Sequence, residues 1–147
     1  MSFVKKAYDI SRKEVFFCRP SQPLTEVAEI LHSNRIGSVL VKEGDTLKGI
    51  ITVNDLLRQM SKKKDPEKTL AKDVMSSPVV TASKDLEIDE LVDEFNKHKV
   101  TRMVLVDEKK KVVGVVRDIA VYKYLTFFKY DIEAKAMFAR DYLHKLY

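Results

Sequence analysis

Hydrophobic positions along this chain alternate between two periods, and the alternation happens twice. Leu24, Val27, Ala28 and Leu31 recur at i, i+3, i+4 and i+7, the spacing that lines one face of a helix, and Ile88, Leu91, Val92 and Phe95 repeat it. After each helical stretch come two short runs rich in β-branched residues, Ser38–Lys42 with Leu47–Thr52 and then Met103–Val106 with Val112–Val116. Glu43-Gly44-Asp45-Thr46 joins the first pair and Asp107–Lys111 the second, which is hairpin chemistry. A short strand, Val15–Cys18 or Val79–Ala82, precedes each helix, and a further helix is predicted to begin near Asn54 and near Ile119. Each half therefore reads β-α-β-β-α.

The halves are also copies of each other at a shift of 64. Asp9-Ile10 matches Asp73-Val74, Leu24 matches Ile88, Val27 matches Leu91, Ile36 matches Val100 and Val41 matches Leu105. The register then slips by one, so that Gly49 meets Gly114, and the extra residue falls in the turn holding Lys109-Lys110-Lys111. Insertions are tolerated at loop tips, so the slip agrees with a duplication. The predicted organisation is one repeat over 7–60, a linker over 61–72, a second repeat over 73–125 and a helical extension over 126–147. Arg58–Lys72 carries six basic and two acidic residues with Pro66, the composition of a solvated connection. Val121–Tyr147 holds eight of the thirteen aromatics, and Tyr122, Leu125, Phe128 and Ile132 fall near helical spacing, which suggests a packing or dimer-forming segment.

Composition narrows the classes. With 147 residues, 45% hydrophobic and 33% charged, the chain is globular in character and fits one ordinary domain or two very small ones. No apolar stretch approaches the roughly 18 residues needed to span a bilayer, and Met1–Lys13 lacks a secretory apolar core, so a cytoplasmic protein is expected. Cys18 is the only cysteine, and His32, His98 and His144 show no metal-binding spacing, so no metal is expected. Four glycines offer no phosphate-cradling loop and no nucleophile–base pair stands out, which argues against an enzyme. The net charge of +5 is mild. It keeps a nucleic-acid-binding protein as the alternative, supported by lysine runs and by tyrosines near Lys123 and Lys129, with a purely structural dimerisation module as a third class.

Three strings go further. Asp73-Val74-Met75-Ser76-Ser77-Pro78-Val79-Val80-Thr81, Val100-Thr101-Arg102-Met103-Val104-Leu105-Val106-Asp107 and Gly49-Ile50-Ile51-Thr52-Val53-Asn54-Asp55 resemble the opening, central strand and ribose-binding signature of the CBS domain. The resemblance covers about Ala7 to Tyr124. It implies an α+β fold in which two tandem β-α-β-β-α repeats pack as one Bateman module, often dimerising into a disc. It also implies a regulatory sensor, binding AMP, ADP, ATP or a related adenosyl ligand such as S-adenosylmethionine in the cleft between repeats and acting on a separate effector protein.

On matching positions, the resemblance gives Thr52 and Asp55 to phosphate and ribose, Ser11 and Phe16 to the adenine border, Ile36 and Ile50 to its walls, and Thr101 and Arg102 to the phosphates. Thr52 and Asp55 stand where a helix begins, with free N–H groups and a favourable dipole for an anion. The same Thr-x-x-Asp spacing also reads as a capping box, and Phe16 as ordinary core. The second repeat departs from the pattern. It places Arg117 at the threonine and Ala120 at the aspartate, and alanine cannot hold a ribose diol, so one good nucleotide site per chain is expected.

Overall fold

A computed structural model describes residues 5–126 of the chain. These residues form two compact units whose boundaries do not follow the sequence repeats: Glu14–Val80 make one, and residues up to Lys13 together with those from Thr81 onward make the other, here called the terminal unit. The aromatic extension predicted beyond residue 126 lies outside the described residues.

In the 14–80 unit the order is β1 (Phe17–Cys18), α1 (Leu24–Ser33), β2 (Ser38–Glu43), β3 (Thr46–Thr52), α2 (Val53–Ser61) and α3 (Ala71–Val74). The sheet runs β1-β2-β3, with β1 parallel to β2 and β3 antiparallel to it. Alternation along the strands turns Val39, Val41 and Ile51 toward α1, where they meet Cys18, Leu24, Val27 and Leu31 in one core cluster. Burial of such side chains supplies about 1.5–3 kcal/mol each, which is what holds a helix of only ten residues in place. Burial also pushes the Cys18 thiol up to about 11, so it stays protonated at neutral pH. The basic segment after α2 is docked on this unit. Asp65 organises it by accepting from Glu67 N at 2.9 Å, and the Leu24 and Ala71 amides donate to Thr69 and Gln22 carbonyls.

The terminal unit repeats the pattern with a 3-10 turn (Ala7–Ile10), β4 (Thr81–Ser83), α4 (Ile88–His98), β5 (Arg102–Val106), β6 (Val112–Arg117) and α5 (Asp118–Tyr124). Its sheet runs β4-β5-β6 with the same parallel and antiparallel pairings. Even the irregularities correspond. A register shift lies at Val41/Lys42 in one hairpin and at Leu105/Val106 in the other, and α1 and α4 are each followed by a left-handed residue, Arg35 at φ 52° and Lys99 at φ 53°.

The leading segment of each sequence repeat is built into the unit of the other repeat's hairpin. Arg12 pairs with Val115 through N–H···O bonds of 2.8 and 2.9 Å, and Ser76 pairs with Ile50 through bonds of 2.9 and 3.1 Å. A glycine stands beside each junction. A Cβ on Gly49 would lie 2.5 Å from the Met75 sulfur, and one on Gly114 would lie 2.8 Å from Ser11 Oγ and 3.0 Å from the Arg12 carbonyl oxygen. Among the described residues no helix is long and apolar enough to cross a membrane.

Candidate functional site

The 14–80 unit assembles its polar site where β3 turns into α2. Thr52 is the N-cap residue in extended conformation, and the Val53 amide is tied to the Gly37 carbonyl at 3.1 Å, so the chain enters the helix at a fixed angle. Thr52 Oγ1 accepts from Asp55 N at 3.3 Å and donates to Asp55 Oδ2 at 3.1 Å, while Asp55 Oδ2 also accepts from Thr52 N at 2.8 Å. The capping box is thus closed on both sides. Asp55 Oδ1 accepts from one Arg58 guanidinium nitrogen at 3.3 Å. The Asp55 side chain is only 9% exposed, and Arg58 is the ion-pair partner that compensates its burial. Oδ1 keeps a second lone pair, so this carboxylate can accept one more hydrogen bond without breaking the cap.

Around this corner the strands set the faces. Ser38 lies opposite Thr52 and Leu40 opposite Ile50, so Ser38, Ile50 and Thr52 share one sheet face while Val39 and Ile51 take the core side. Ser76 extends that sheet by its pairing with Ile50. Phe16 precedes β1, gives its carbonyl to Leu40 N at 3.0 Å, and its half-buried ring packs against the core cluster. Ile36 belongs to the same cluster and also lines a groove of about 810 Å³ between the end of α1 and the start of α2.

Of the residues expected to act together, Phe16, Ile36, Ile50, Thr52 and Asp55 therefore lie in the 14–80 unit. Ser11, Thr101 and Arg102 lie in the terminal unit. Ser11 packs beside Gly114 of the second hairpin, with its hydroxyl donating to the Tyr8 carbonyl at 2.8 Å. The residues that occupy the equivalent place beside Gly49 and Ile50 are Met75 and Ser76, and Arg58 completes the Asp55 environment. The repeat shift carries Ser11 onto Met75, which was the available signal for the former; an i, i+3 Asp–Arg spacing was the signal for the latter. In the terminal unit, the β6-to-α5 corner has Arg117 as N-cap residue without a side-chain cap, and the Asp118 amide bonds to the Thr101 carbonyl at 3.0 Å. Among the described residues no group of His, Cys, Asp or Glu is placed to hold a metal ion.

Comparison with known proteins adds the ancestry of this arrangement. The CBS domain family profile matches twice, at residues 7–62 and 71–126. An uncharacterised protein of Methanopyrus kandleri is 34% identical over 110 residues, covering 74% of this chain and 56% of that one. The chain spans about half the length of the curated relatives it matches. Among solved structures, the CBS-domain pair of the protein MJ0100, in complex with 5'-methylthioadenosine and S-adenosyl-L-methionine, superposes with a TM-score of 0.71 at 24% identity, covering 83% of this chain and 96% of that one. A hexameric CBS-CP12 protein from bloom-forming cyanobacteria superposes with a TM-score of 0.76 at 18% identity, over 98% of this chain and 88% of that one.

Proposed function

The chain belongs to the CBS-domain family, with two copies of the domain, and on that premise we propose that it is a regulatory module whose 14–80 unit binds an adenine nucleotide or a related adenosyl ligand. The observation that carries this reading is the corner made by Thr52 and Asp55. The capping box alone would use one carboxylate oxygen, yet Asp55 is buried with its second oxygen beyond the cap and compensated by Arg58. A ribose hydroxyl donating to that oxygen would find a charged acceptor held in place before binding. The adenosyl compounds held by the MJ0100 pair support the ligand class. Hydroxyls of Ser38, opposite Thr52, and of Ser76, paired to Ile50, offer further polar partners.

Regulation then follows from differential binding: a ligand shifts a module between states only as far as it prefers one of them. A separate effector protein, or a second copy of the chain, is the partner through which such a shift is read. The test is calorimetric titration with AMP, ADP, ATP and S-adenosylmethionine, repeated with Asp55→Ala. A charged hydrogen bond is worth on the order of 1.5–3 kcal/mol, so the variant should bind about 10- to 100-fold more weakly. Unchanged affinity in Asp55→Ala removes that residue from the site. Failure of every adenosyl ligand, together with a steep salt dependence for oligonucleotides, would favour the nucleic-acid reading instead.

A further inference from the structure

On the helix side of the 14–80 sheet, opposite the face that carries Ser38, Ile50 and Thr52, the end of α1 and the start of α2 leave a groove of about 810 Å³. Its floor is apolar: Leu31 and Ile36 are buried, and Ala28 and Leu56 are half-buried. His32 and Arg35 stand exposed at its rim, and among the described residues neither enters an ion pair. The acid of that rim, Glu29, is already engaged, its Oε1 accepting from the Ser33 hydroxyl at 2.6 Å. The groove therefore offers apolar contact along its floor and a guanidinium at its edge.

The duplicate shows what the groove lacks. At the helix positions matching Ala28 and Leu31 the terminal unit carries the bulkier Val92 and Phe95, and Phe95 is buried. Smaller residues on α1 leave room for a large apolar side chain brought from elsewhere. The chain holds such a segment. Six of its thirteen aromatics lie beyond residue 126, and Phe128, Asp131 and Ile132 fall at i, i+3 and i+4, the spacing that sets a carboxylate beside two apolar anchors. That combination complements an apolar floor edged by Arg35. Val53 lines the groove and also begins the exposed row Val53, Leu57 and Met60 along α2, so the groove opens onto an apolar surface broader than one segment's anchors cover. A second copy seated on that surface accounts for both.

We propose that this groove is the docking site for the 127–147 segment of a second copy of the chain, with Phe128 and Ile132 on the apolar floor and Asp131 against Arg35. The exchange is reciprocal: each copy gives a segment and receives one, so two such contacts act together across a twofold axis. Ligand binding at Thr52 and Asp55 uses the other face of the sheet and stands or falls separately.

The test uses the full chain carrying Phe128→Ser with Ile132→Ser, which leaves the groove open, and a fluorescein-labelled peptide of residues 127–147. Fluorescence anisotropy is expected to show saturable binding of one peptide per chain. Filling the groove with the duplicate's own residues, Ala28→Val with Leu31→Phe, should weaken binding about tenfold or more. Ala28→Leu, which leaves Leu31 in place, should do the same and serves if the pair does not fold. Arg35→Glu should weaken binding roughly two- to fivefold, and a peptide carrying Asp131→Lys should prefer the Arg35→Glu protein, a reversal that damaged folding cannot produce. In sedimentation equilibrium the Phe128→Ser, Ile132→Ser chain should show a dimer Kd raised about tenfold or more over the unaltered chain. A monomeric unaltered chain or an unchanged dimer Kd overturns the exchange between copies. No saturable peptide binding, equal affinity in the filled-groove variants, or no preference of the Asp131→Lys peptide for the Arg35→Glu protein overturns the site.

Discussion

Gly49 and Gly114 occupy matched positions, but they differ in what crowds them. Beside Gly49 the near atoms all belong to the Met75 side chain, whose thioether can rotate but whose Cβ, 2.8 Å away, is fixed by the backbone; beside Gly114 they include the backbone carbonyl of Arg12, which is fixed by its pairing to Val115. Gly114→Ala and Gly49→Ala are therefore each expected to destabilise the protein by about 1–3 kcal/mol, the range for overpacking a rigid site. Urea unfolding monitored by circular dichroism measures both, and an unchanged midpoint at either position would show that its neighbours shift to admit the methyl. The same residues mark what could be read in advance. Thr52 and Asp55 were legible as a pair because an N-cap corner is a local, four-residue motif. The place of Ser11 was not, because its contact with Gly114 crosses about a hundred positions of sequence and nothing local marks it.

The elements themselves were the legible part. Period-3.6 runs became α1 and α4, β-branched runs became the two hairpins, and the second helices begin at Val53 and Asp118, one residue before the predicted starts. What periodicity left open is what the helices do with their outer faces. On α2, Val53, Leu57 and Met60 follow one another at i, i+4 and i+7 and are 43%, 55% and 70% exposed. On α5, Tyr122 at the position matching Leu57 is 65% exposed, with Ile119 beside it at 45%. Contiguous apolar exposure of this kind marks association surfaces, and its recurrence on the equivalent helix of both units favours a second copy of the chain as occupant. Under this reading Leu57→Asp with Met60→Asp should convert the protein to monomers in sedimentation velocity while leaving its circular dichroism spectrum unchanged. An unaltered sedimentation coefficient would mean that this helix face is not where copies meet.

At the scale of the whole molecule, the repeat seen in sequence and the unit seen in space are different cuts of the same chain. A fragment of residues 7–62, one family repeat, lacks the Ser76 segment that pairs with Ile50 and carries an Arg12 segment with no Val115 to pair with. A fragment of residues 14–80 keeps the Ile50–Ser76 pairing and the Met75 contact of its core. The latter is expected to melt cooperatively and the former to give a broad or absent transition in calorimetry, and the reverse order would refute the exchanged architecture. The exchange has a historical corollary. A lone ancestral copy of this β-α-β-β-α unit would hold its three strands by itself, but it could cover the free edge of its hairpin with a leading segment by lending its own to a sister molecule and borrowing hers, the reciprocal embrace of a domain-swapped dimer. Gene fusion would then have made that embrace covalent and permanent. It would also have freed the two once-identical corners to diverge, one keeping its serines and threonine while the other turned to arginine.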